Sequence, residues 1–82
     1  MTTVQIKMFA VARDIVGADE VDISLREGNT IAHLRDALLA AYPEFEKLGG
    51  KLMFSLNAEY AADSQVVTET DEIACIPPVS GG

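Results

Sequence analysis

The stretch VQIKMFAVARDIVGADEVDISLR, residues 4–26, contains two alternating segments separated by a short connector. In the first, Val4, Ile6 and Met8 take one side and Gln5, Lys7 and Phe9 the other, the period of two of a strand with one buried face. In the second, Val21, Ile23 and Leu25 form the apolar side, with charges facing outward. The connector, VARDIVG, reads as a short helical or turn-like piece stopping at Gly17, since glycine readily takes the left-handed geometry that ends helices. Together these predict an antiparallel hairpin with an unusually long connector.

The residues that follow supply a cover for that hairpin. EGNT breaks the pattern, and Thr30 is placed to cap a helix, although His33 stands where a capping box favours Glu. Ile31, Leu34, Leu38 and Ala41 or Tyr42 recur at helical spacing, while Arg35 and Asp36 are expected to point away. Pro43 closes the helix because the residue before proline avoids helical angles, and EFEKLGG gives a further helical turn with a glycine exit. Leu52, Phe54 and Leu56 then alternate with Met53, Ser55 and Asn57. Short extended pieces around an Asp63-Ser64 turn lead to a last strand, with Ile73 and Cys75 on one face and Ala74 and Ile76 on the other. Two strands, a helix and several more strands predict a two-layer α+β domain with the helix over one face of a mixed sheet.

Composition narrows the function classes. The 82 residues make one small domain, 49% hydrophobic and 23% charged, which is globular rather than disordered composition. The net charge of −7 lacks the clustered Lys and Arg that hold phosphate, so no nucleic acid and no membrane surface are expected as partners. A basic protein patch suits this charge better. Apolar runs such as ALLAAY are too short to span a bilayer, and no secretory signal is expected at the start. A single cysteine excludes an internal disulfide and fits a cytoplasmic, reducing setting; with one histidine it cannot build a thiolate or imidazole zinc site. Cys75 shares the inward phase of Ile73 and is expected to pack in the core, with no base placed to activate it. His33 is read as solvated, and the pairs Asp19-Glu20 and Asp71-Glu72 as turn and strand-edge solvation.

The chain ends in IPPVSGG, which divides it into a domain, 1–76, and an extended tail, 77–82. Pro77 and Pro78 have no amide to donate, so the last strand stops there and polyproline geometry projects the residues beyond. Val79 and Ser80 are modest in size and Gly81 and Gly82 have no side chain, so the tail tapers to fit a narrow site in another protein. A carboxylate at its tip is inert until activated, for example as an acyl-adenylate, and then open to a nucleophile. The bland alternative is a loose terminus.

The element order, FAVARDIVG near the start and DEIACIPPVSGG at the end resemble the small subunits of molybdopterin synthase, the MoaD family. That family belongs with the thiamine-pathway carrier ThiS and has the ubiquitin-like β-grasp fold. The resemblance covers essentially the whole chain; PPVSGG is its specific part, and Thr70 departs from the glycine usual before the acidic pair. It implies that Gly82 is adenylated by an ATP-using enzyme related to the ubiquitin-activating enzymes. A sulfur-delivery protein then supplies the sulfur of a thiocarboxylate. The tail, Pro77, Pro78, Val79, Ser80 and Gly81, enters the synthase large subunit, and sulfur passes to cyclic pyranopterin monophosphate in molybdenum cofactor biosynthesis. The catalytic site is expected on the large subunit, in a heterotetramer, with no catalytic side chain and no directly bound cofactor or metal in this chain. Phe9, Met53 and Ile76, with Tyr60, are expected to form an apolar partner interface on the helix-free face, and Arg13 matches a family position near the activating enzyme. The rival readings are a thiamine-pathway carrier, a plain β-grasp interaction module, and a modifier conjugated to protein lysines.

Overall fold

The computed structural model describes residues 2–26, 28–48 and 52–77. Strands β1 (Thr2–Met8) and β2 (Glu20–Leu25) flank helix α1 (Ala10–Val16); helix α2 (Ile31–Ala41) and a 3-10 helix (Pro43–Leu48) follow; β3 (Met53–Leu56), β4 (Glu59–Tyr60) and β5 (Ile73–Ile76) complete the described elements. The five strands form one sheet in the order β2-β1-β5-β3-β4. β1 is antiparallel to β2 and parallel to β5, and β3 is antiparallel to β5 and β4. The expected long hairpin connector is α1, and it ends on Gly17 at φ 74°, whose amide donates to the Arg13 carbonyl.

Strand parity sets the core. Val4, Ile6, Met8, Ile23, Leu25, Phe54, Leu56, Ile73 and Cys75 line the helix-covered face and are buried beneath Ile31, Leu34 and Leu38 of α2. Fully burying side chains of this size contributes roughly 1.5–3 kcal/mol each. Phe45 is fully buried in the 3-10 helix and Val67 in the loop before β5, two core residues that no periodicity marks. Phe45 stacks edge-on to Tyr42, with ring centroids 6.3 Å apart.

The start of α2 is held by side chain and loop together. Thr30 accepts from the His33 amide at 3.3 Å, and its hydroxyl lies 2.7 Å from His33 Nδ1, so the histidine occupies the capping-box position by a different bond. The carbonyls of Gln65 and Asp63 accept from the Ile31 and Ala32 amides at 2.9 and 3.1 Å, satisfying donors that a helix start otherwise leaves orphaned.

Two readings of the sequence need correction. Arg35 does not point away: its side chain is 20% exposed, donates to the Leu52 carbonyl at 3.1 Å and to Asp63 at 2.9 Å, and lies 5.8 Å from the Phe54 ring centre. A long side chain on the flank of the helix reaches back over the sheet. Asp71 and Glu72 do more than solvate an edge. Asp71 accepts from Asn57 Nδ2 at 3.0 Å and the Thr68 amide at 2.8 Å, while Asn57 Oδ1 accepts from the Glu72 amide at 2.9 Å. The turn before β5 is therefore fastened to the β3–β4 turn, with Thr70 bonded to Thr68 through their hydroxyls at 3.1 Å. Among the described residues no helix is long and apolar enough to cross a membrane.

Candidate functional site

The face of the sheet away from α2 carries the candidate site. Lys7 pairs with Ala74, Ala74 with Ser55, and Ser55 with Tyr60, so these side chains form one row across four strands. Ile76 pairs with Met53 in the next row. Phe9 continues the alternation of β1 in extended geometry, φ −130° and ψ 152°, and comes to lie beside Ile76 as the residue preceding α1. Its carbonyl accepts from the Ala12 and Arg13 amides at 3.0 and 3.4 Å, which folds Ala12 into the core and leaves the Phe9 ring outside.

A depression of about 370 Å³ results, lined by Lys7, Phe9, Ser55, Ala58, Glu72, Ala74 and Ile76. Phe9 and Ile76 thus meet there, Met53 adjoins Ile76 by register, and Tyr60 lies one row away beside Ser55. Phe9, Met53 and Tyr60 are 52%, 51% and 68% exposed, large apolar areas held in water on a domain that has a core to put them in. Arg13 sits apart, on α1, with Nη1 3.3 Å from Asp19 Oδ1. Pro77 is buried, and Pro78, Val79, Ser80, Gly81 and Gly82 lie outside the described residues.

Five lining residues, Lys7, Ser55, Ala58, Glu72 and Ala74, were not among the site residues expected from the sequence. Ala74 and Ser55 share the parity of Ile76 and Met53, so strand phase alone contained them. Lys7 and Glu72 form an ion pair, Nζ to Oε1 2.5 Å, across neighbouring strands at the polar end of the depression. The hydrogen bond and charge of Glu72 raise the Lys7 pKa above its ordinary value, and Lys7 lowers that of Glu72 in the same way. Ala58 enters only through its turn: Asn57 and Ala58 have φ of 52° and 71°, the two positive values of a type I′ hairpin turn between β3 and β4.

Among the described residues, side-chain chemistry is sparse. Cys75 is completely buried and desolvation pushes its thiol up to about 12, so at neutral pH it is a core residue and not a nucleophile. Among the described residues no group of three or more His, Cys, Asp or Glu is gathered to hold a metal ion. What the face offers is apolar area with a charged pair at one end, immediately before the chain leaves β5.

The sheet order, the parallel pairing of the first and last strands and the single covering helix define a ubiquitin-like β-grasp protein. The ThiS family model matches residues 6–82, and the chain belongs to the ThiS family. It is 34% identical over 79 residues to a molybdopterin synthase sulfur carrier subunit from Arabidopsis thaliana, covering 96% of this chain and 82% of that one. The crystal structure of small archaeal modifier protein 1 from Haloferax volcanii superposes with a TM-score of 0.78 at 30% identity, over 98% of this chain and 99% of that one. A chain in the complex of subunits 1 and 2 of molybdopterin-converting factor from Helicobacter pylori shares the fold, with a TM-score of 0.63, 22% identity and 99% and 100% coverage.

Proposed function

We propose that this chain is the sulfur-carrying small subunit of a molybdopterin synthase, docking through the Phe9–Ile76 depression and delivering sulfur on Gly82. The carrying observation is positional. The apolar depression ends at Ile76, one residue before the buried Pro77, so a partner seated on it lies where the remaining tail leaves the domain. The relatives named as sulfur carrier subunits over nearly the full chain support the same reading.

The chemistry follows from a carboxylate at the tip. An ATP-using activating enzyme forms the Gly82 acyl-adenylate and releases pyrophosphate; a persulfide on the delivery protein attacks the carbonyl and AMP leaves, after which a thiol reductant cleaves the S–S bond of the acyl persulfide, becoming a disulfide and leaving the thiocarboxylate. The tail, rooted at Pro77, carries Pro78, Val79, Ser80 and Gly81 into the large subunit, where the thiocarboxylate sulfur attacks cyclic pyranopterin monophosphate. Water then cleaves the acyl–sulfur bond that joins Gly82 to the pterin, leaving the sulfur on the pterin and restoring the carboxylate, and two such cycles supply two sulfurs. On this reading the catalytic side chains belong to the large subunit, the assembly is a heterotetramer in the cytoplasm, and Met53, Tyr60 and Arg13 widen the contact with the synthase or the activating enzyme.

Intact mass after incubation with activating enzyme, ATP and a sulfur source tests the first half: one oxygen is replaced by sulfur, and the change disappears when Gly82 is deleted or followed by an extra residue. Conversion of cyclic pyranopterin monophosphate by the loaded carrier and large subunit tests the second. No mass change with a verified activating system sinks the carrier reading, and transfer only to the thiamine precursor moves it to the rival pathway. The likeness to small archaeal modifier protein 1 favours one further role, conjugation to protein lysines through the same adenylate. Carrier-sized additions on lysines of partner proteins are its signature.

A further inference from the structure

On the other side of the sheet, at its far edge, an unpaired strand lies beside a groove that the Phe9–Ile76 depression does not reach. β2 is an edge strand, and among the described residues no strand pairs with its outer side. The Met8 amide donates to the Asp19 carbonyl at 2.7 Å, which fixes the phase of the β1–β2 ladder. Hydrogen-bonded pairs alternate in antiparallel ladders. Hence Ile6–Val21, Val4–Ile23 and Thr2–Leu25 are the bonded pairs, and the amides and carbonyls of Glu20, Asp22 and Ser24 point outward from the sheet.

Beside this edge, between β2 and α2, runs a groove of about 400 Å³. Leu25 and the small side chains of Ala37 and Ala40 give it apolar walls, and Asp36 stands on the helix side. One end is closed where the His33 ring lies against Gly28, so closely that a Cβ on Gly28 would fall 2.4 Å from its Cε1. Arg26 is at that same end of β2, whereas Glu20 and Asp22 project from the opposite end onto the helix-free face.

We propose that this edge and groove bind an extended segment of a partner protein in which basic and apolar residues alternate. The segment adds as a sixth strand: its backbone pairs with Glu20, Asp22 and Ser24, its apolar residues enter the groove against Leu25, Ala37 and Ala40, and its Lys or Arg residues lie opposite Glu20 and Asp22. Residues directly opposite on neighbouring strands share a face, so strict alternation is required. A second copy of this chain is the poorer occupant: parallel pairing of β2 with itself sets Glu20 and Asp22 against their own copies, antiparallel pairing centred on Asp22 sets that carboxylate against its twin, and like charges opposite one another are destabilising.

The probe is a six-residue capped peptide alternating lysine and valine, titrated into the full chain at low salt with amide hydrogen exchange followed by residue. The amides of Glu20, Asp22 and Ser24 gain protection, while those of Val21, Ile23 and Leu25 are protected already. The same peptide N-methylated on its pairing amides fails to bind, as does its glutamate-valine counterpart. The double variant Glu20→Lys/Asp22→Lys weakens the lysine peptide at least about tenfold and gains binding to the glutamate peptide. This swap reads the proposal independently of carrier activity, and a thermal melt checks that the variant is folded. Three results overturn it: no new protection at the three outward amides, protection confined to the Phe9–Ile76 face, or peptide-free protection at those amides that grows with protein concentration, which would give the edge to a second copy.

Discussion

Replacing Ala58 with glycine should make the domain more stable. Ala58 occupies the second central position of the β3–β4 turn at φ 71°, after Asn57 at φ 52°. Left-handed geometry costs an L-residue roughly 1–2 kcal/mol, least for Asn, whose short polar side chain bonds locally. Asn57 bonds both Asp71 and the Glu72 amide, but the Ala58 methyl has no such compensation. Glycine removes the conformational cost and returns about 0.5–1 kcal/mol through its freer unfolded chain. The net gain for Ala58→Gly is about 0.5–1 kcal/mol. A domain of this size shifts by about 4–8 °C per kcal/mol, so the melting midpoint should rise by roughly 2–8 °C. With an m-value of about 1 kcal/mol/M, the urea midpoint rises by about 0.5–1 M. An unchanged or lowered midpoint at constant m would refute the argument from backbone strain. Because Ala58 also lines the depression, the same variant loses about 0.8 kcal/mol of partner binding, near fourfold, where that methyl is buried in the complex.

Arg35→Ala should destabilise by about 1–3 kcal/mol, since it strips the Leu52 carbonyl of its donor and uncovers Phe54, and Arg35→Lys should rescue little because a point charge cannot make both bonds; urea denaturation measures both. Asp63, Asp71 and Glu72 have pKa values lowered from 3.8, 3.8 and 4.5 by their hydrogen bonds to Arg35, Asn57 and Lys7 respectively. Their stabilisation is therefore complete above those ordinary values and lost as pH falls through the lower folded ones, so denaturation midpoints should drop progressively below about pH 4.5, less steeply in Asp71→Asn. Lys7, raised from 10.5, acts in the opposite sense, its contribution present below that pH and lost as pH rises through the folded value. Cys75, with its thiol pushed up to about 12, should be ionised at about one part in ten thousand at pH 8 and label with a disulfide reagent only after unfolding; rapid labelling of the native protein would contradict its burial.

Much of the architecture was legible because burial on one face leaves a period in the sequence. Val4, Ile6 and Met8, the pair Ile73 and Cys75, and Ile31, Leu34 and Leu38 all lie where alternation or helical spacing puts them. Phe45 and Val67 escaped because a short 3-10 helix and an irregular loop bury single residues without repeating. Arg35 was misassigned because helical phase locates a Cα, not the far end of a flexible side chain that finds a carbonyl and an aromatic face. At the candidate site, Phe9, Ile76 and Met53 could be placed from strand parity once β1 and β5 were taken as neighbours. Ala58 could not, since nothing in an Asn-Ala pair announces two left-handed residues, and the Lys7–Glu72 pair depends on a parallel register between strands 65 residues apart.

The strand that bears the tail fills the middle of the sheet, laced to β1 on one side and β3 on the other. A pull on the tail therefore loads both ladders lengthwise in shear, instead of peeling bonds open one at a time as it would at an edge. Synthesis runs from the amino terminus, so this central slot stays empty until β5 emerges, after the four strands that flank it. The sheet then closes around β5, its central strand. A molecule truncated before Ile73 lacks the strand that joins β1 to β3, and its sheet falls into two unjoined pairs, β2-β1 and β3-β4.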